Sequence, residues 1–153
     1  MERYKVSLEI DNTIYRPALE ADNNKQLILF LGNNIPAGFP SPARDYIEDV
    51  LDLNELMIDD ASATYFVRVE GYSMSLANIF PGDILVVDRG KEAYNNNIVI
   101  AVIDGELTVK RLKIIKNEYW LYPENNDYKP FKIEEWMDFL IWGIVTWVIH
   151  KPN

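Results

Sequence analysis

The dipeptide Asp104-Gly105 stands between the apolar run 98–103 and the half-apolar run 107–112, and constrains the fold more tightly than any other feature of the chain. A tight primed turn needs positive φ at its central residues, which Asp and Gly tolerate, so the two runs read as the arms of a β-hairpin. Other segments carry strand signals of their own. Tyr65, Val67 and Val69 alternate with Phe66, Arg68 and Glu70, while Ile84-Leu85-Val86-Val87 lies between the turn signals Pro81-Gly82-Asp83 and Asp88-Arg89-Gly90. Residues 118–122 and 139–149 complete the set. Short strands at this spacing predict a mostly β chain, a compact domain of short antiparallel strands.

Upstream, the pattern predicts an extended N-terminal arm and one short helix. Tyr4, Val6, Leu8 and Ile10 alternate with polar residues, and residues 27–31 form a second apolar run ended by Gly32-Asn33-Asn34. Two short strands cannot stabilise themselves, so such an arm must lie on a larger body or on another copy. The prolines at 36, 40 and 42 favour extended backbone over residues 35–42. Ser41 as N-cap and Pro42 at the first helical position then predict a helix with Tyr46, Ile47, Val50 and Leu51 on one face. Leu53, Leu56 and Met57 are expected to continue its burial.

Composition narrows the chemistry. The 153 residues suit one domain plus an arm, and 48% hydrophobic residues suffice for a core. The chain has no cysteine, which excludes disulfides, thiolate nucleophiles and zinc–thiolate sites. Its single histidine, His150, reads as a surface or strand-end residue, and alone it cannot build a multi-histidine metal centre. The net charge of −9 argues against direct binding to a nucleic-acid backbone and favours protein partners. No secretory signal is evident in the N-terminal residues, and the apolar run 139–149 is too short to span a bilayer. A cytoplasmic protein is the expectation.

Two residues stand out as chemistry-bearing. Ser73, at the end of a strand-like segment and beside Gly71-Tyr72, could be an exposed nucleophile or merely a turn residue. Lys110 shares a strand face with Thr108 and Leu112, opposite Val109 and Arg111. It could be an ordinary hairpin lysine. Were it turned inward, burial would lower its pKa from about 10.4, and the free amine could accept a proton from a serine hydroxyl. A Ser/Lys pair needs neither histidine nor carboxylate. The proline-flanked segment around Ala37-Gly38 reads equally as a linker or as an extended peptide of the kind proteases bind.

The motifs Phe39-Pro40-Ser41-Pro42-Ala43, Asp52-Leu53-Asn54-Glu55-Leu56, Ala63-Thr64-Tyr65-Phe66-Val67, Gly71-Tyr72-Ser73-Met74, Gly82-Asp83, Asp104-Gly105-Glu106 and Thr108-Val109-Lys110 occur in this order. Together they resemble the LexA/UmuD family of self-cleaving serine peptidases, over a stretch from about Ala37 to the C-terminus. The resemblance implies that Ser73 is the nucleophile and Lys110 the general base, with the backbone N–H groups of Tyr72 and Ser73 as oxyanion donors and Ala37-Gly38 as the scissile bond. It implies a regulatory arm, residues 1–37, removed from a peptidase domain, residues 38–153. No cofactor or metal is called for.

Within the family the UmuD-like branch is expected, because the residues before the proposed cut are too few, too strand-like and too acidic for the helix-turn-helix domain of LexA-type repressors. That branch implies cleavage promoted by a RecA-nucleoprotein filament, a homodimer, and a trimmed product that serves an error-prone, UmuC-like Y-family polymerase in the SOS response. A non-cleaving interaction subunit of the same fold is the alternative, and a truncated LexA-type repressor is a further one.

Overall fold

The computed structural model describes residues 51–152 and, before them, the backbone of three short strands: Ile14–Tyr15 (β1), Leu29–Leu31 (β2) and Ile47–Val50 (β3). The chain divides into two units, one holding β2, β3 and the short helix Leu53–Met57 (α1) and ending at Asp59, the other holding β1 and everything from Asp60 onward.

In the smaller unit the sequence expectation is corrected. Ile47 and Val50, assigned above to a helix face, belong to a strand paired antiparallel with β2, Leu29 opposite Val50 and Leu31 opposite Ile47. An i, i+3 apolar pair is compatible with helix, but both residues are β-branched and a neighbouring strand offers ladder hydrogen bonds, so pairing overrides a weak local propensity. The helix begins later, capped by Asp52, whose Oδ1 accepts from the Asn54 N–H at 2.8 Å. Leu53 and Leu56 are exposed rather than buried. The strand expected over residues 4–10, the Ser41-Pro42 helix start and the Ala37-Gly38 bond lie outside the described residues.

The larger unit is built on one antiparallel sheet. Its further strands are Thr64–Arg68 (β4), Ile84–Asp88 (β5), Ile98–Ile103 (β6), Glu106–Ile115 (β7), Glu118–Tyr122 (β8), Phe131–Lys132 (β9) and Phe139–Ile149 (β10). They are ordered β1-β4-β5-β10-β6-β7-β8-β9. The expected mostly β architecture of short antiparallel strands is therefore what the chain adopts. The β6–β7 hairpin turns through Asp104 and Gly105 at φ +50° and +87°, the positive pair a primed turn demands. The β7–β8 hairpin turns the same way through Lys116 and Asn117, without a glycine to announce it.

Burial explains the patterning. Val67 and Tyr65 are buried and Arg68 exposed, as alternation requires of a strand with one wet face. In β6 the run is continuously apolar because both faces are covered. Ile100 and Val102 join a cluster with Leu85, Val87 and Trp142, and Val99 and Ala101 join one with Leu112 and Leu121. Strand β10 lies between β5 and β6, yet its last residues, Trp147 to Ile149, are exposed, so the apolar run is buried over only part of its length.

The irregular register in β10 falls beside Gly143. The β10–β6 pairing shifts between Ile141 and Gly143. A Cβ at Gly143 would stand 2.6 Å from Val87 Cγ1 and 3.1 Å from the Asp88 carbonyl oxygen. Those neighbours belong to the packed β5 strand and cannot easily retreat. Gly143→Ala is therefore expected to destabilise the fold by about 1–3 kcal/mol, read as a lower denaturant midpoint with an unchanged m-value.

Candidate active site

The loop after β4 carries Ser73, and its shape follows from a closed base. The Val69 N–H donates to the Asp83 carbonyl and the Gly82 N–H to the Val69 carbonyl, both at 2.9 Å. Beneath them the Asp83 carboxylate is 3% exposed and doubly engaged: Oδ2 accepts from the Phe80 N–H at 2.8 Å, and Oδ1 lies 2.7 Å from His150 Nδ1. Such a buried carboxylate is tolerable only because these partners replace its water. His150 thus sits just past the end of β10 as a strand-end residue with a structural partner.

Above this base, Gly71 takes φ +77°, a conformation that a β-carbon would disfavour, and turns the chain out of the sheet. Met74 and Ile79 are fully buried and plug the loop into the core, so Ser73 immediately precedes an anchored residue. Tyr72 remains 60% exposed. The short 3₁₀ segment Ser75–Ala77 follows, its turns closed by Ser75 N–H to Tyr72 O and Ala77 N–H to Met74 O. Among the described residues no hydrogen bond leaves the N–H of Tyr72 or Ser73.

Lys110 comes from the middle of β7, opposite Val99 of β6. Its Nζ lies 2.9 Å from Ser73 Oγ, 2.8 Å from Thr108 Oγ1 and 2.9 Å from the Val109 carbonyl oxygen. No carboxylate is among these partners. Burial accordingly holds the Lys110 amine below the usual lysine value, since desolvation penalises the charged form and no anion among the described residues offsets it. The neighbouring Arg111 leaves the strand on the other side and pairs with Glu124.

The third element of the site lacks any signal in the strand pattern. Beyond β8, the Glu124 N–H donates to the Ser73 carbonyl at 2.8 Å, the Glu124 carbonyl accepts from the Leu76 N–H at 2.7 Å, and Asn125 Nδ2 donates to the Tyr72 carbonyl at 2.8 Å. In sequence this segment reads only as a polar loop around Pro123. The turn that holds a candidate nucleophile is thus gripped by a segment about fifty residues downstream.

Comparison with known proteins gives the family. Residues 29–146 match the Peptidase S24-like family, and the chain belongs to that family. Protein ImpA of Salmonella typhimurium is 42% identical over 143 residues, covering 93% of this chain and 97% of that protein. Protein MucA of Escherichia coli is 44% identical over 120 residues, covering 78% and 82% respectively. The LexA repressor of Ectopseudomonas mendocina is 37% identical over 118 residues, 76% of this chain but 57% of the repressor. The resemblance drawn from the motifs is upheld, and the ImpA match reaches well into the segment before Gly38. No helix among the described residues is long and apolar enough to cross a membrane.

Proposed function

We propose that this chain cuts its own backbone between Ala37 and Gly38, with Ser73 as nucleophile and Lys110 as general base. The observation that carries the reading is the set of three contacts around the Lys110 amine. A neutral amine has two N–H donors and one lone pair. The Val109 carbonyl can only accept, and the Thr108 hydroxyl can accept the second proton, which leaves the lone pair for the Ser73 O–H. Lowered by burial, the amine spends more of its time in that form.

In the reaction, Lys110 takes the Ser73 proton as Oγ attacks the Ala37 carbonyl carbon. The tetrahedral oxyanion is met by the N–H groups of Tyr72 and Ser73. Collapse breaks the C–N bond, and the Lys110 ammonium returns its proton to the departing Gly38 amine. Water, deprotonated by the same amine, then hydrolyses the Ala37–Ser73 ester and releases residues 1–37 from a peptidase domain of residues 38–153. Thr108→Val, which keeps the shape but removes one acceptor that orients the amine, is expected to slow cleavage about tenfold with the fold intact, as followed by gel densitometry and circular dichroism.

In this reading the chain acts in the cytoplasm as a homodimer. A RecA-nucleoprotein filament promotes cleavage by favouring the cleavable arrangement, and the product serves an error-prone, UmuC-like Y-family polymerase during SOS mutagenesis. Acidic net charge suits a protein that reaches DNA through such partners. Incubation with RecA filaments at neutral pH, followed by N-terminal sequencing, is the test. A fragment beginning at Gly38 supports the reading; an intact chain points instead to a non-cleaving interaction subunit.

A further inference from the structure

The two halves of the site belong to elements that do not pair. Ser73 lies on the loop after β4, whereas β7, which carries Lys110, bonds only to β6 and β8 within the sheet. The loop's base is closed near β5, through Val69 and Asp83, away from its tip. Sheet hydrogen bonding therefore leaves the distance from Ser73 Oγ to Lys110 Nζ unset. Packing of Met74 into the core cluster that also takes in Val109 of β7 supplies one link between the loop tip and that strand, and the contacts of Glu124 supply a polar one.

We propose that Glu124 is a positioning residue for the reaction, a staple whose backbone holds the Ser73 turn and whose carboxylate ties that turn to the strand bearing Lys110. Its N–H and C=O bond Ser73 O and Leu76 N, gripping the turn on either side of the nucleophile. Its carboxylate accepts from Arg111 Nε, on the residue next to Lys110, and Arg111 is held in place by a second bond from Nη1 to the Asn96 carbonyl at 2.8 Å. The path Ser73, Glu124, Arg111, Lys110 closes a ring through the reacting pair.

This inference rests on the self-cleavage reading and adds to it a component that touches neither the scissile bond nor the reacting atoms. Its signature is a separation of rate from stability. The Arg111 and Glu124 side chains are 25% and 28% exposed, so their pairing adds little to the stability of the fold. Proton transfer, by contrast, needs the two heavy atoms about 2.6–3.2 Å apart, and a misplacement of about 1 Å costs on the order of a hundredfold in rate.

The experiment compares self-cleavage rates of the full chain with Glu124→Ala, Glu124→Gln and the exchanged pair Arg111→Glu with Glu124→Arg. Glu124→Ala should cleave about 10- to 100-fold more slowly while its melting temperature moves by no more than about 4 °C. Glu124→Gln, whose amide oxygen can still accept from Arg111, should recover most of the rate, and the exchanged pair should recover part of it. A Glu124→Ala chain that cleaves like wild type overturns the proposal, as does a rate loss that Glu124→Gln fails to repair. If wild type itself stays intact, the self-cleavage reading has failed, and the staple is judged on the titration of the Lys110 ¹³Cε signal. Glu124→Ala and Glu124→Gln remove the same charge, so a higher midpoint in the alanine chain reports an amine released towards water. Equal midpoints overturn the staple.

Discussion

Lys110→Ala is expected to reduce self-cleavage by about 10⁴-fold or more, and Ser73→Ala to do the same, with no further loss when the two are combined. The reason is geometric. Lys110 Nζ is within hydrogen-bond reach of Ser73 Oγ, so without the amine the hydroxyl keeps its proton and remains a weak nucleophile. His150, the chain's single histidine, is engaged with Asp83 at the base of the loop. Among the described residues no other side chain bonds Ser73 Oγ to replace the base. The fold should survive, because the alanine removes a half-buried cation whose charged form burial disfavours. Fragment yield over time, measured beside a thermal melt, checks both halves of the expectation.

The second large effect is on pH dependence. Only the neutral amine can accept the proton, so the cleavage rate should rise about tenfold per pH unit and level off once Lys110 is deprotonated. Burial lowers that pKa from the ordinary 10.5, which places the bend of the profile below that of a solvent lysine. The same shift acts on stability. Between the folded and unfolded values the unfolded chain binds more protons, so this lysine's burden on stability is fully present below the folded pKa and is relieved as pH rises towards 10.5. A rate that is flat with pH, or one that bends only at the value of a free lysine, would contradict a buried general base.

Much of the sheet was legible because its signals are local. Asp104-Gly105 demands positive φ and receives it, and alternation from Tyr65 to Glu70 yields a strand with Tyr65 and Val67 inside. Strand parity puts Lys110 with Thr108, and the amine bonds that hydroxyl. Residues 47–50 were not legible, because a short apolar pair fits helix and strand alike and the partner strand β2 decides. Nor was the Lys116-Asn117 turn, where neither residue demands positive φ. Glu124 and Asn125 escaped for another reason: their backbone, amide and carboxylate groups meet the Ser73 turn and Arg111 only once the sheet has formed. Residue type in a polar loop does not say which distant turn or strand it will meet.

The central claim, that Ser73 and Lys110 together cut the Ala37–Gly38 bond, is tested most directly by intact mass. Wild type, Ser73→Ala and Lys110→Ala would be incubated near pH 10, where an ordinary lysine is already substantially deprotonated. Loss of the mass of residues 1–37 in wild type alone is the predicted result. An intact wild-type chain, or a cut that persists in either variant, would contradict it.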